Sequence, residues 1–267
     1  MKQQLFAFFL FFVCVAGRAS VPVEMPELQT LFDRYGIEGS FLIYDLKENR
    51  YQVYNPERCN TAFCPASSFK IPNTLIALET GVVNLETIFP WNGEKMRLKG
   101  WEQDLDISGA FRVSAVPVYQ EIARRIGVER MQHYLRLFHY GEMDVRADNL
   151  DVFWLEGESA ITSYQQVYFL KQLYTGSLPV SDRAMEQTRR IMLYEQTDQY
   201  RLSGKTGAAV RSGKDIAWFV GWIETADNTW IFATNTGKEE LLSIENFLQI
   251  RIDITWEILE KLGIIIR

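Results

Sequence analysis

Histidine is nearly missing from this sequence: His133 and His139 are the two present in 267 residues. That leaves little material for a serine-histidine triad or a zinc hydrolase, which use imidazole as base or ligand. Cysteine is as scarce, with Cys14, Cys59 and Cys64. Cys59 and Cys64 read as two buried thiols or one small disulfide, and without histidine companions they make a poor metal site, so no metal is expected. Positive charge is short as well. Against 34 acidic residues stand 28 lysines and arginines, a net charge of -6, which argues against nucleic acid and anionic membrane as partners. The apolar run Leu5 to Ala16 covers about twelve residues, where a membrane span needs about twenty. No internal repeat, low-complexity stretch or linker-like run breaks the chain.

What is present begins with that short run. Lys2 precedes it, and the small residues Gly17, Ala19 and Ser20 follow, which is the layout of a secretory signal. Residues 1–19 are therefore expected to be removed, leaving one compact exported, soluble domain over residues 20–267. Losing Lys2 and Arg18 makes the mature chain more acidic still. Val13, where a lipoprotein signal would carry a small residue ahead of Cys14, argues against a lipid anchor.

The N-terminal part alternates as a hairpin, Ser40 to Asp45 and Tyr51 to Tyr54. The middle is helical: Val118, Ile122 and Ile126 share a face, as do Met131, Tyr134, Leu135 and Phe138. Ser163-x-x-Gln166 looks like a capping box ahead of Val167 and Leu170. Strand patterns return over Tyr200 to Thr206, Ile216 to Ile223 and Thr229 to Thr234. Leu241 to Leu262 carries an apolar stripe and stops at Gly263, a helix that covers a sheet. Strands at both ends with helices between them predict an α/β chain of the α+β type. Its mainly antiparallel sheet is built from both termini and flanked by helices, an all-helical lobe is inserted, and a cleft between lobes is the natural place for a site.

Three short motifs carry chemistry. In Pro65-Ala66-Ser67-Ser68-Phe69-Lys70 the serine falls near a helix start, and a lysine three residues on shares its face. Free N–H groups at such a start can face an oxyanion. Alone, Ser-x-x-Lys arises by chance about once in a chain of this length. Lys205-Thr206-Gly207 ends a predicted strand, with glycine leaving room for a substrate or simply turning the chain. Ser114-Ala115-Val116 precedes a helix, where the serine could equally be an N-cap.

In this order the three resemble the penicillin-recognising serine enzymes. The flanks resemble the class D, oxacillin-hydrolysing β-lactamases: PASSFKIPNTLIALETG, Ser-Ala-Val in place of Ser-Asp-Asn, Phe153-Trp154-Leu155-Glu156-Gly157, and Trp218-Phe219-Val220-Gly221-Trp222. The resemblance runs over essentially the whole mature chain.

It implies a β-lactamase/transpeptidase-like fold and hydrolysis of penicillin-type amides through an acyl-enzyme on Ser67, with resistance as the consequence. Lys70 would take up carbon dioxide, from dissolved bicarbonate, as a carbamate base in a pocket for which Phe69, Val116, Trp154 and Leu155 are candidates; no diffusible cofactor is implied. Trp154 would donate its indole N–H to that carbamate, and Ser114 would pass a proton to the leaving nitrogen. The oxyanion would lie between the backbone N–H groups of Ser67 and Ala208. Lys205, Thr206, Gly207 and Arg251 would hold the substrate, Arg251 being otherwise a solvated helix cation. The partner is a small β-lactam, with no nucleic acid and no membrane after signal cleavage; the place is the periplasm, and the state is monomer or homodimer. One departure stands out. The family carries Tyr-Gly-Asn where this chain has Tyr140-Gly141-Glu142, a charge that could repel a substrate carboxylate or face solvent. A penicillin-sensing receptor domain, a D-alanyl-D-alanine peptidase or a catalytically idle member of the fold are the alternatives.

Overall fold

In β2 (Glu38–Asp45), Phe41 and Ile43 point to one side while Leu42 and Tyr44 point to the other, and all four are buried. A strand that is apolar on both faces must be covered twice, and that requirement organises the molecule. The computed structural model describes residues 21–210, 215–237 and 243–266; the expected signal, residues 1–19, lies outside the described residues.

The remaining strands are β1 (Val23–Glu24), β3 (Arg50–Tyr54), β4 (Leu193–Gln196), β5 (Tyr200–Ala209), β6 (Ile216–Thr225) and β7 (Thr229–Gly237). The seven described strands make one sheet in the order β1-β3-β2-β7-β6-β5-β4, antiparallel except for the β1–β3 pair. The N-terminal hairpin pairs with β7, for example Phe41 opposite Thr234 and Tyr44 opposite Ile231, so the sheet is built from both ends of the chain as expected. Its edges are the two short strands β1 and β4, the latter interrupted by a register shift between Leu193 and Glu195. Such edges offer little template for pairing with another chain. Neither carries enough alternation to be seen in the sequence.

One face packs against α1 (Gln29–Tyr35) and α9 (Ile244–Lys261). Leu28, Phe32, Phe41, Ile43, Phe219 and Phe247 belong to that core. The other face meets the helices that lie between β3 and β4: α2 (Pro56–Asn60), α3 (Lys70–Glu79), α4 (Ile107–Arg112), α5 (Val116–Ile126), α6 (Val128–Leu137), α7 (Ser163–Thr175) and α8 (Asp182–Ile191). α7 lies on β7, β2 and β6, and α3 packs against α5, α6 and α8.

The capping box of α7 sits one residue earlier than the sequence pattern suggests. Thr162 is the N-cap and Gln165 completes the box, the Thr162 Oγ1 accepting from Gln165 N–H at 3.1 Å and Gln165 Oε1 from Thr162 N–H at 2.9 Å. Ser163 and Gln166 are fully buried instead. Two overlapping Ser/Thr-x-x-Gln frames exist here, and burial decides between them: the frame that caps leaves its glutamine half-buried, and the other turns its glutamine fully inward.

Candidate active site

Between Pro65 and α3 the chain makes a short 3₁₀ turn, Ala66–Phe69. In such a turn residues three apart eclipse rather than merely share a face, and Lys70 Nζ donates to Ser67 Oγ at 3.0 Å. Ser68 closes the turn, its N–H and its hydroxyl both donating to Pro65 O, at 3.2 and 2.7 Å. Ala66 sits at φ +48°, in the left-handed region that side chains with a Cβ enter at a cost of about 1–2 kcal/mol. Strain of this kind, held by its surroundings, concentrates at functional sites.

Lys70 is fully buried. Burial holds its amine well below the ordinary lysine value, and the neighbouring charge of Lys205 lowers it further. A wall that the sequence did not single out is Tyr119, whose ring centroid lies 5.1 Å from Lys70 Nζ. Thr74 Oγ1 pairs with the Tyr119 hydroxyl at 2.7 Å, and Asn73 donates to Tyr119 O at 3.4 Å, so α3 fixes the ring beside its own lysine. Tyr119 is four residues from an apolar helix neighbour on each side, and nothing in that spacing distinguishes it from core. Val116 and Leu155, expected around the lysine, are half-buried.

Behind Phe69 lies Trp154, stacked on it at 5.3 Å with the planes 20° apart. The indole is fully buried, and its Nε1–H has no hydrogen-bond partner among the described residues. An unmade bond of this kind costs about 1–3 kcal/mol. Cys64 Sγ donates to Trp154 O at 3.2 Å, and Trp218 Nε1 donates to Cys64 O at 3.0 Å, which ties the Trp154 loop and β6 to the residue ahead of Pro65. Cys59 and Cys64 are not joined in a disulfide, and burial pushes the Cys59 thiol up to about 11.

β4 covers β5 only as far as Ser203, so the stretch from Lys205 to Ala209 runs past it and lies beside the Ala66–Phe69 turn. Gly207 makes this approach possible. A Cβ there would stand 2.9 Å from Ser68 N, 3.1 Å from Pro65 O and 3.3 Å from Ser67 N. The space that glycine leaves on this side is thus taken by the backbone of Pro65 to Ser68, a packing role that the sequence reading had not given this residue. Ala208, next along, is half-buried.

Lys205 is buried, and its Nζ donates to Thr206 O at 2.9 Å and to Thr206 Oγ1 at 3.4 Å. Burial, then the charge of Arg251, pull it down to about 7. Arg251 on α9 is buried as well, donates to Leu248 O, and is lowered to about 10 by burial; its Nε has no partner among the described residues. Lys205 therefore lies within electrostatic reach of both Lys70 and Arg251, and no ion pair among the described residues involves any of the three. Buried charges without counter-charges are costly; an entering carboxylate relieves that cost.

Ser114 does not cap α5. Ala115 is the N-cap, without a side-chain bond. Ser114 N–H instead donates to Phe111 O at 3.2 Å and Ala115 N–H to Ala110 O at 2.8 Å, the paired bonds of a Schellman motif that ends α4, with Ser114 at φ +55° in the place glycine usually takes. The Phe111 ring one turn earlier lies 5.7 Å from Lys205 Nζ, so this corner abuts the Lys205 strand. Ala115 and Val118 also line an apolar groove with Trp91, Met96 and Trp101. Glu142 forms a backbone bridge with Ala160, and its side chain is exposed, the solvent-facing outcome of the two.

A family model described as "Penicillin binding protein transpeptidase domain" matches residues 39–247. Beta-lactamase OXA-48 of Klebsiella pneumoniae is 40% identical over 257 residues, 94% of each chain. Beta-lactamase OXA-5 of Pseudomonas aeruginosa is 39% identical over 239 residues, 88% of each chain. Among solved structures, the class D β-lactamase YbXI from Nostoc is 41% identical, superposes with a TM-score of 0.84, and is matched over 88% of this chain and 98% of its own.

Proposed function

Because the chain belongs to the class D serine β-lactamases of the penicillin-binding transpeptidase family, we propose that it opens the β-lactam amide of penicillins through an ester on Ser67. The observation that carries this reading is the fully buried Lys70 amine 3.0 Å from Ser67 Oγ, beside an indole donor that lacks an acceptor.

Burial favours the neutral, nucleophilic form of the Lys70 amine, the form that captures carbon dioxide, and the Trp154 N–H has no acceptor among the described residues and can donate to the anion that results. The residues thus fit a carbamate on Lys70 held by Trp154, and the chemistry that group supplies is that of a buried anionic base. Ser67 Oγ gives up its proton on the Lys70 side and bonds to the amide carbon. The N–H groups of Ser67 and Ala208 hold the oxyanion, for which removal of one such donor typically costs about 10²–10³ in rate. Ser114 returns a proton to the ring nitrogen as the C–N bond breaks. Lys205, Thr206 and Arg251 hold the substrate carboxylate, and water then cleaves the ester. A protein exported to the periplasm with this activity would confer resistance on its host.

The test is mass spectrometry after short and long incubation with stoichiometric benzylpenicillin, alongside loss of β-lactam absorbance and carbon-13 NMR in labelled bicarbonate. The expected result is a transient adduct on Ser67, many substrates consumed per enzyme, and a carbamate resonance that Trp154→Phe weakens. A persistent adduct would make the chain an acylated sensor or peptidase; no adduct removes Ser67 as nucleophile, and no resonance removes the carbamate.

A further inference from the structure

Behind the nucleophile runs a buried chain of hydrogen bonds that none of the steps above uses. The Tyr140 hydroxyl donates to Gln166 Oε1 at 3.3 Å, Gln166 Nε2 donates to Ser68 Oγ at 2.7 Å, and Ser68 Oγ donates to Pro65 O at 2.7 Å. Tyr140, Gln166 and Ser68 are all fully buried. The polarity of the chain follows from its ends. A carbonyl oxygen only accepts, so Ser68 spends its one proton on Pro65 and has only lone pairs to offer the Gln166 amide. Burial keeps the Tyr140 phenol protonated, so it is the donor to the glutamine oxygen. Every member points toward Pro65 O.

We propose that Gln166 is a positioning residue for the oxyanion donor of Ser67. It acts through Ser68, whose doubled bond to Pro65 O keeps Ala66 in its left-handed conformation. The Ser67 N–H belongs to the peptide that follows Ala66, so the torsions of Ala66 set where that N–H aims. Gly207 presses on the same turn from the β5 side, within 3.3 Å of Ser67 N for an added Cβ, and Gln166 holds it from α7. With the glutamine gone, the Ser68 hydroxyl is free to leave Pro65, one of the two bonds opposing the strain at Ala66 is lost, and the donor swings off the oxyanion. The helical lobe is coupled in at the far end: α6 closes with Tyr140 N–H donating to Leu135 O at 3.1 Å, which turns Tyr140 inward onto Gln166.

This inference rests on Ser67 being the nucleophile, and the experiment separates the two. Gln166→Met keeps length and flexibility without the amide; Ser68→Ala removes one oxygen and leaves a smaller void, guarding against a Met variant that fails to fold. Each is expected to lower kcat/KM for benzylpenicillin by about 10- to 100-fold, and the double variant is expected to lose no more than the worse single, since both break one chain. A boronic acid that forms a tetrahedral adduct on Ser67 places an oxygen on the same donors; its affinity should fall by the same factor as kcat/KM, whereas a merely structural role would leave it unmoved in the folded fraction. If wild type gives no Ser67 adduct, the functional reading fails. If wild type turns over, and the folded variants match it in kcat/KM and boronate affinity or their losses multiply, the positioning role is wrong.

Discussion

Two residues occupy the left-handed corner of a Schellman motif where glycine would be easier. His139 ends α6 at φ +49°, with its N–H on Arg136 O at 3.1 Å, and Ser114 ends α4 at φ +55°. His139 is exposed and Ser114 half-buried against the site. Glycine at either corner should stabilise the fold by several tenths to about 1 kcal/mol, part of the conformational relief being offset by a more flexible unfolded chain. The two are expected to part company in activity. His139→Gly should keep turnover, while Ser114→Gly should gain melting temperature and lose about 10²-fold or more in kcat, the scale of a lost proton donor. Melting curves and steady-state kinetics on the pair decide it: a Ser114→Gly enzyme that still turns over normally takes the hydroxyl out of the chemistry. Lys205 gives the second expectation at this scale. With its folded value near 7 against an ordinary 10.5, the native chain binds fewer protons than the unfolded one between those pH values, so this group makes stability rise with pH across that window. Below about pH 7 both states are charged and the penalty is constant. Lys205→Met should therefore be more stable than wild type at pH 7, by a few kcal/mol at most, with the difference shrinking as pH approaches 10. Urea unfolding at pH 7, 8.5 and 10 checks it, and a difference that grows with pH would contradict the burial account.

At the scale of elements, legibility tracked how much of a pattern is local. β2, β3, β5, β6, β7 and α9 were readable because each alternates or stripes over enough residues to show its period. β1 and β4 were not, being two and four residues long and defined only by their partners. The capping frame of α7 was misplaced by one residue, because Thr162 and Ser163 both offer a hydroxyl and only the contact of Gln166 with Ser68 selects between them. In the site, the Ser67–Lys70 spacing could be read as one face of a helix; that the turn is 3₁₀, and that Ala66 and Ser114 sit at positive φ, depends on Gly207 and on the α4 terminus. The places of Tyr119 and Gln166 in the site were silent in the sequence for a related reason. Tyr119 reads as ordinary core and Gln166 as the end of a capping box, and what sets them apart is a partner 45 and 98 residues away in the chain, Thr74 and Ser68.

For the whole molecule, the strands decide how it comes apart. β2 sends Leu42 and Tyr44 into the core shared with the helical lobe and Phe41 and Ile43 into the core under α9; β6 likewise sends Trp218, Val220 and Trp222 one way and Ala217, Phe219 and Ile223 the other. Neither core can lose its packing without exposing strands that the other core needs, and β2 is locked to β7 from the opposite end of the chain. The lobe therefore has no way to melt by itself while the sheet stays folded, even though it is a continuous insertion between β3 and β4. We expect one cooperative transition in urea, with the tryptophan fluorescence of the lobe side, far-ultraviolet circular dichroism and penicillin hydrolysis falling together. A truncation on the α9 side, Phe219→Leu, should lower all three midpoints equally, by the equivalent of about 1 kcal/mol, although its ring belongs to the core under α9. Hydrolysis lost at lower urea than circular dichroism, in wild type and variant alike, would instead show the site-bearing helices unfolding as a unit of their own and would divide residues 20–267 into two folding domains.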